Sequence, residues 1–284
     1  MSNGIGMRQN DDKSIAMLAA QRQIYNDIKK FKDIFFVISV LIPFCLSIIS
    51  LFFKQYTLDV VSCLLTFVII VLSFLVNKYI DEKKKLAAFI QQQFDVYVYT
   101  MPWNERIFGK NKNVNHEIAI KSKKILKNEK EKNNLYNWYT PTVDSMSLYD
   151  GILFCQRENF CWDRDLRKKV LIGNKVFILI LIIFILGMTF LKRESLIWFL
   201  CRCLLITPIL EFISNTIIKI KKDINSLEDL DKCINDDKIR TMDDLQDIQK
   251  KLFEHRKGCY IISNFVYKMF RDNDEDTFKH EASL

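Results

Sequence analysis

Four long apolar runs constrain this sequence more than any other feature. They cover residues 34–53, 58–76, 176–191 and 196–213, and the charged residues lie between them. A helix needs roughly 20 apolar residues to cross the hydrocarbon core of a bilayer, and about 17 suffice. Core helices of soluble proteins rarely stay apolar on every side for this length. The runs therefore predict four membrane spans in two helical hairpins, in preference to two buried hairpins of a soluble protein.

The basic residues predict how these spans are oriented. Lysine and arginine cluster before the first and third runs and after the second and fourth, whereas the hairpin tips hold only Lys54 and the pair Lys192 and Arg193. Because basic residues accumulate on the cytoplasmic side of spans, both termini and the long middle segment are expected in the cytoplasm. The net charge of +8 then requires no nucleic-acid polymer as a partner, since much of it lies beside anionic membrane lipid.

The predicted architecture is an all-α membrane protein with a mainly helical cytoplasmic domain. No internal repeat and no glycine-rich linker divides the chain further. The expected parts are a cytoplasmic N-terminal helix (1–33), a transmembrane hairpin (34–77), a cytoplasmic insert that acts as the sensor (78–169), a second transmembrane hairpin (170–218) and cytoplasmic C-terminal helices (219–284).

Several local patterns give more detailed expectations. The first residues are expected to lack order, with Ser14 capping the helix that follows. The alternating sequence DVYVYT at 95–100 favours an extended strand. A basic helix is expected over 117–132. Thr241, followed by two aspartates, suits the start of a last helix, whose buried side is expected to continue to Met269.

Residues 147–190 join a polar, aromatic helix to the third apolar run. Apolar and polar side chains recur there at spacings of three and four, which is one face of a helix. Ser147 suits the N-cap, and no proline interrupts the stretch. A continuous helix here would couple events in the cytosol rigidly to the bilayer.

The sequence lacks the common signatures of catalysis and of metal binding. It has only 7 glycines and contains no phosphate-binding glycine loop, no Gly-x-Ser-x-Gly turn and no paired histidines. The 8 cysteines include no Cys-x-x-Cys pair. These patterns predict a protein that is not an enzyme and that uses no cofactor, metal or disulfide framework.

A cluster of aromatic and polar residues is the better candidate for a binding site. Aromatic faces stack on bases, with about 1–3 kcal/mol per base, and arginines form charge-assisted bonds with phosphates. The alternative is that these side chains pack the cytoplasmic domain and anchor it at the interface, and residue types alone favour this alternative. Asp163 and Arg167 also have the spacing of a structural ion pair. The candidates for nucleotide binding are Trp103, Asn104, Trp138, Tyr139, Gln156, Arg157, Asn159, Trp162, Asp163, Arg164 and Arg167.

Two charged residues lie within the fourth run. Placing a charge at the centre of a bilayer costs about 2.5–3.5 kcal/mol on insertion scales, so Arg202 and Glu211 should face protein or water. Their spacing puts them on opposite faces of a regular helix, and Pro208 lies between them. Partners from another span or subunit, or a water-filled path, are the remaining options.

Several sequence blocks occur together in one order. They are LAAQRQIYNDIKK before the first run, FDVYVYTMPWN after the second, NWYTP, CQRENFCWDRDLRKK before the third, and LQDIQKKLFEHRK with FVYKMFR near the end. In this combination the chain resembles the SMODS-associated four-transmembrane effector family of bacteria, and the resemblance extends over most of the sequence. The blocks beginning CQREN and MPWN are its specific elements.

The resemblance implies a pore-forming effector of a bacterial antiphage system. A cyclic nucleotide or cyclic oligonucleotide made by a partner enzyme would bind on the cytosolic side, and the inner membrane would then lose its barrier, causing abortive infection. Since four spans leave little room for a pore, a homo-oligomer is expected. The alternative function is a membrane scaffold or sensor that recruits a cytosolic partner without forming a pore. A small transporter is a third possibility, against which the lack of symmetry between the hairpins argues.

Overall fold

The computed structural model describes residues 2–42, 45, 56–192, 196–235 and 241–263. All regular secondary structure in this part of the chain is helical, which confirms the prediction of an all-α protein. The α-helices are α1 (Ile5–Gln9), α2 (Asp12–Phe36), α3 (Tyr56–Tyr99), α4 (Glu105–Phe108), α5 (Asn115–Leu126), α6 (Glu129–Asn133), α7 (Leu148–Lys192), α8 (Leu196–Ile234) and α9 (Met242–Gly258). A π-helix (Val37–Leu41) extends α2, and a 3₁₀-helix (Pro141–Ser145) precedes α7.

The long helices form two groups that α9 joins. Helix α2 packs against α3 and α5, while α7 and α8 pack against each other. Helix α9 contacts α3, α7 and α8. Its apolar side supplies Leu245, Ile248 and Leu252 to a large core that also holds Phe94, and all of these side chains are buried. Helix α9 therefore fixes how the two groups sit against each other.

Helix ends follow local capping chemistry. The Ser147 hydroxyl accepts a hydrogen bond from the Asp150 backbone at 3.1 Å, which confirms the predicted start of α7. Thr241 and Asp244 form a reciprocal capping box at the start of α9, as the sequence indicates. Ser14 was expected to cap α2, but this is wrong: Asp11 is the N-cap, and its carboxylate accepts from the Ser14 backbone at 2.7 Å.

Residues 95–99 are helical rather than extended, so the predicted strand is wrong. They form the last turns of α3, and Phe94, Val98 and Tyr99 are fully buried there. Phe94 and Val98 are four residues apart and therefore share one helix face. Packing of this face outweighs the strand preference of the valines and tyrosines, which depends strongly on context.

Three further expectations are wrong. The first residues are ordered, because Ile5 of α1 is buried and the Asn3 side-chain amide donates to the Val143 carbonyl at 2.6 Å. The basic segment 117–132 is divided between α5 and α6, and the Asn128 side chain caps α6. The last helix ends at Gly258, so Cys259 and Ile262 are buried without being helical. Met269 lies outside the described residues.

Helix α7 is continuous over 45 residues, as predicted. Gly173 lies within it without a break. Within the residues that the structure describes, none of the helices combines the length and the apolar character that crossing a membrane requires. Parts of the first predicted hairpin and the tip of the second, at 43–44, 46–55 and 193–195, lie outside those residues.

Candidate functional site

Four of the predicted site residues of α7 divide between two polar networks. The first is the Asp95 network, in which Asp95 is fully buried. Its carboxylate accepts hydrogen bonds from the Tyr139 hydroxyl at 2.7 Å and the Gln249 amide at 2.8 Å, and it pairs with the Arg256 guanidinium. The other members are Tyr99, Gln156 and Asn159.

Gln156 and Asn159 connect α7 to the rest of the Asp95 network. The Gln156 amide donates to the Leu245 carbonyl at 2.9 Å and to the Gln249 side chain at 3.0 Å. The Asn159 amide donates to the Tyr139 hydroxyl at 2.9 Å. Burial, together with the Asp95 charge, raises the pKa of Tyr139 well above its ordinary value, so the phenol stays neutral. Two predicted site residues, Tyr139 and Gln156, therefore lie in a sealed core network, and the half-buried Asn159 lies at its edge.

The second network surrounds residues 258–261, the last residue of α9 and the three that follow it, which we call the strap. The Arg167 guanidinium donates to Asp163 at 2.9 Å and to Asp223 at 2.6 Å. It also donates to the carbonyl of Tyr260 at 3.1 Å, and the Tyr260 backbone N–H donates to Asp223 at 2.8 Å. Arg167 and Asp223 thus attach the strap to α7 and α8.

Two lysines attach the strap to the other long helices. The Lys84 ammonium of α3 donates to the carbonyls of Cys259 at 3.1 Å and Gly258 at 3.4 Å. The Lys32 amine of α2 donates to the Ile261 carbonyl at 2.7 Å and lies 3.3 Å from the centre of the Tyr260 ring. Consecutive carbonyls of the strap are therefore held by cationic side chains from three helices. We call these contacts, with Asp163 and His255, the strap network.

Charge and burial shift two pKa values in the strap network. Burial alone would raise the pKa of Asp163, but Arg167 and a 2.7 Å hydrogen bond with His255 outweigh it and hold that pKa well below its usual range. Burial, followed by the positive charge of Lys219, lowers the pKa of Lys32 to about 7. The first effect stabilises a carboxylate anion, and the second reflects mainly the burial of Lys32 against the strap, with Lys219 adding to it.

The strap forms one wall of an open groove of about 1190 Å³. Residues of α2, α3, α8 and α9 line the rest of it. Its lysines are Lys32, Lys84, Lys219, Lys222, Lys250 and Lys251. Asp223 and His255 also line it, so the Arg167 end of the predicted site borders this groove. We call it the lysine groove.

The remaining predicted site residues lie apart from these networks. Arg157 is exposed on α7. Arg164 pairs with Asp231 of α8 at 2.6 Å. The predicted residues are therefore not brought together in one pocket.

The aromatic candidates and Asn104 pack at other places. Trp103 contacts Phe89 and Phe108, and its indole donates to the Gly109 carbonyl at 2.9 Å. Asn104 caps α4 and donates to Gln246 at 3.2 Å. Trp138 packs under the guanidinium of Arg22, and Trp162 is half-buried on α7.

The two intramembrane candidates both belong to α8. Glu211 is exposed, and the side chain of Arg202 lies outside the described residues. Across the part of the chain that the structure describes, no group of histidine, cysteine and carboxylate side chains is arranged to hold a metal ion.

The sequence interpretation missed the partners of the α7 residues. Asp95 lies in the segment predicted as a strand, although its spacing of four residues from Tyr99 fits one face of a helix. Gln249 and Arg256 are seven residues apart on the buried side of α9, which places them on one helix face with Leu252. That periodicity was the signal that could have identified them as core polar residues.

Comparison with known proteins gives the family. The family profile described as SMODS-associating 4TM effector domain matches residues 3–283. A protein of Bacillus cereus (strain VD146) named as a probable CBASS effector molecule is 27% identical over 236 residues, which cover 80% of this chain and 77% of that protein. No solved structure matches. Because the profile match covers nearly the whole sequence, this chain belongs to the SMODS-associating four-transmembrane effector family.

Proposed function

We propose that this protein is a membrane effector of a bacterial antiphage system, which a cyclic nucleotide or cyclic oligonucleotide activates to open the inner membrane. Family membership supports the effector role, and the Bacillus cereus relative carries the name of a probable CBASS effector. The effector acts by binding and rearrangement, without catalysis and without a cofactor. Abortive infection is the expected result for the cell.

The membrane part of the proposal draws support from large apolar side chains on two helices. Contiguous exposed apolar surface in a protein marks contact with a membrane or a partner. On α3 and α7 the most exposed examples are Leu64, Phe74, Leu75, Ile172, Leu179, Ile180, Ile183, Phe184 and Phe190, each at least 57% exposed. We propose four spans in two hairpins, with both termini in the cytoplasm.

The continuity of α7 is the single observation that carries the mechanism. Its first half contributes Gln156 to the Asp95 network and Arg167 to the strap network, and its second half contains the third apolar run. A displacement of the polar half therefore moves the apolar half as one rigid helix, since neither proline nor a break interrupts it.

Signal recognition belongs to the cytoplasmic helices. Arg157 is exposed and Trp162 half-buried, so both are accessible to a ligand. Arg164 and Arg167 supply positive charge nearby on the same helix. Tyr139, Gln156 and Asn159 act from the Asp95 network by positioning α7.

Subunits would assemble into a homo-oligomer, because four helices from one chain enclose little space. The exposed position of Glu211 on α8 leaves it available to a neighbouring subunit or to a water-filled path. Arg202 of the same helix is proposed to line that path.

The test is release of dye and ions from liposomes that hold the full-length protein. Cyclic AMP, cyclic di-AMP, cyclic di-GMP and cyclic tri-AMP are added separately, with protein-free liposomes as the control. Release with one nucleotide only is the expected result. No release with any of these nucleotides, from liposomes shown to contain inserted protein, would contradict the proposal and favour a scaffold that recruits a cytosolic partner.

A further inference from the structure

The strap presents neutral acceptors to cationic side chains. The carbonyls of Gly258 and Cys259 face Lys84, and the carbonyl of Ile261 faces Lys32. A cation forms a stronger hydrogen bond with an anion than with a neutral carbonyl. Lys84 has one carboxylate partner, Asp81 at 3.1 Å, and Lys32 has no ion pair among the described residues. Both side chains can therefore gain from an anionic ligand.

Most acidic residues of the lysine groove already have a cationic partner. Four of the five lining carboxylates already pair with a cation: Asp81 with Lys84, Asp223 with Arg167, Asp229 with Lys232 and Glu254 with Lys257. By contrast, Lys219, Lys222 and Lys250 are exposed and form no ion pair within the part of the chain described here. The groove consequently offers positive charge to a ligand.

The size of the groove suits a nucleotide. At about 1190 Å³ it slightly exceeds the usual range of small-molecule pockets, which is roughly 300–1,000 Å³. Lysines reach it from α2, α3, α8 and α9 and so surround the space from several sides. Two phosphates of one ligand could contact different lysines at the same time.

We propose that the lysine groove binds the phosphodiester groups of the nucleotide signal, and that these phosphates replace the strap carbonyls as partners of Lys32 and Lys84. This inference rests on the proposed function and adds the location of the site and its regulation. The strap occupies the cationic side chains in the resting state, so binding of the ligand and attachment of the strap exclude each other.

Release of the strap would loosen all four long helices together. Its partners are Lys32, Lys84, Arg167 and Asp223, which belong to α2, α3, α7 and α8. Each of them lies in sequence on the cytoplasmic side of one predicted span. A ligand shifts a conformational equilibrium only as far as it binds one state better, and here it binds only the state in which the strap is released.

Phospholipid headgroups carry the same phosphodiester chemistry. We assign the groove to the free nucleotide, because Lys250 and Lys251 reach it from α9, which contains no apolar run. The two sources are separated by using nanodiscs of phosphatidylcholine alone and nanodiscs with added phosphatidylglycerol.

The experiment measures binding of cyclic AMP, cyclic di-AMP, cyclic di-GMP and cyclic tri-AMP to the full-length protein in phosphatidylcholine nanodiscs. Lys84→Gln and Lys222→Gln should each weaken binding about tenfold, as expected for one charge-assisted hydrogen bond. Lys221→Gln is the matched control, since Lys221 is exposed beside Lys222 on α8 but does not line the groove, and it should leave affinity unchanged.

A variant of the strap should change nucleotide affinity in the opposite direction. Tyr260→Leu removes the ring that packs against Lys32 and the hydroxyl that lies 3.1 Å from Thr216, but it keeps every cation. Because a weakened strap competes less, this variant should bind the nucleotide more tightly. Affinity that falls for Tyr260→Leu as it does for the lysine variants would overturn the competition between strap and ligand.

The remaining outcomes separate this inference from the proposed function. If a nucleotide binds and opens liposomes but Lys222→Gln binds it normally, the groove assignment is wrong while the effector function stands. If no nucleotide binds or opens liposomes, both fail. If phosphatidylglycerol, and no nucleotide, protects the exposed Lys219 and Lys222 from acetylation, a lipid occupies the groove and the inference is overturned.

Discussion

The Asp95 network and the strap network use similar chemistry in different surroundings. Each centres on a buried arginine paired with a carboxylate, Arg256 with Asp95 and Arg167 with Asp223. Asp95 is fully buried and is held only by side chains of the core. Asp223 lies at the wall of the lysine groove and also holds backbone of the strap. The Asp95 network, sealed in the core, can only be kept or broken, whereas the strap network borders the groove and can exchange partners with a ligand.

The largest effect is expected from breaking the sealed network. Asp95→Asn leaves the Arg256 guanidinium buried without its charge partner, which should lower the free energy of unfolding by about 3–5 kcal/mol. Thermal or urea unfolding in detergent measures the loss. Glu254→Gln on the same helix is the matched control, because the exposed pair of Glu254 with Lys257 should contribute less than about 1 kcal/mol.

Disrupting the strap network should have a smaller effect on stability and a clear effect on gating. Asp223→Asn weakens the hold on the Tyr260 backbone, while Asp163 still neutralises Arg167. The expected loss is about 1–3 kcal/mol, together with dye release from liposomes in the absence of nucleotide. A loss as large as that of Asp95→Asn, without release, would mean that the two networks are equivalent structural ion pairs.

The depressed pKa of Lys32 gives the strap network a pH dependence. Burial, then Lys219, Lys84 and Arg167, lower this pKa to about 7, against the opposing charge of Asp33. Between about pH 7 and the ordinary lysine pKa, the unfolded chain therefore binds more protons than the folded one at this site, and stability should rise with pH. The melting temperature should increase by about 2 °C per pH unit over that range.

Lys32→Gln should flatten this pH profile. Lys29, whose pKa burial lowers to about 8, would continue to contribute in the variant. A profile with the same slope in Lys32→Gln and in the unmodified protein would show that the amine of Lys32 is not desolvated in the folded state.

The smallest effect on stability is expected at Arg157, which is exposed and outside both networks. Arg157→Ala should change the free energy of unfolding by less than about 0.5 kcal/mol. Arg157 and Trp162 do not line the lysine groove, so combining Arg157→Ala with Trp162→Ala separates two locations for the signal: release should weaken about tenfold if this face of α7 holds part of the ligand, and stay unchanged if the groove holds all of it. Unchanged release by both variants, at normal protein levels, would exclude these residues from signal binding.

Sequence periodicity predicted the helices whose patterns are strong. The start of α7 at Ser147, its continuity and the start of α9 at Thr241 follow from caps and from apolar spacing, which are local properties. The strand expected at 95–100 is wrong because local preference competes with long-range packing, and packing of Phe94 and Val98 decides the outcome. Apart from Ile172, the most exposed apolar residues of α7 belong to the predicted third run.

The polar site was harder to predict because its partners come from distant segments. Arg167 and Asp163 are neighbours on one helix and could be paired from sequence alone. Asp223 and Tyr260 reach Arg167 from two other segments, and Lys84 reaches the strap from a third. Nothing in their local sequence indicates that these segments meet. Residue types singled out the arginines of α7 as candidates, but did not indicate which of them face the core and which remain accessible.

Hydrogen–deuterium exchange tests the difference between the two networks most directly. Full-length protein in phosphatidylcholine nanodiscs is measured without ligand and with the nucleotide that opens liposomes. Amides of residues 258–262 should exchange faster with the nucleotide, because the Tyr260 N–H loses its bond to Asp223, while residues 245–252 of α9 remain unchanged. Slower exchange in the strap, or equal acceleration in both segments, would contradict a ligand that displaces the strap and leaves the sealed network intact.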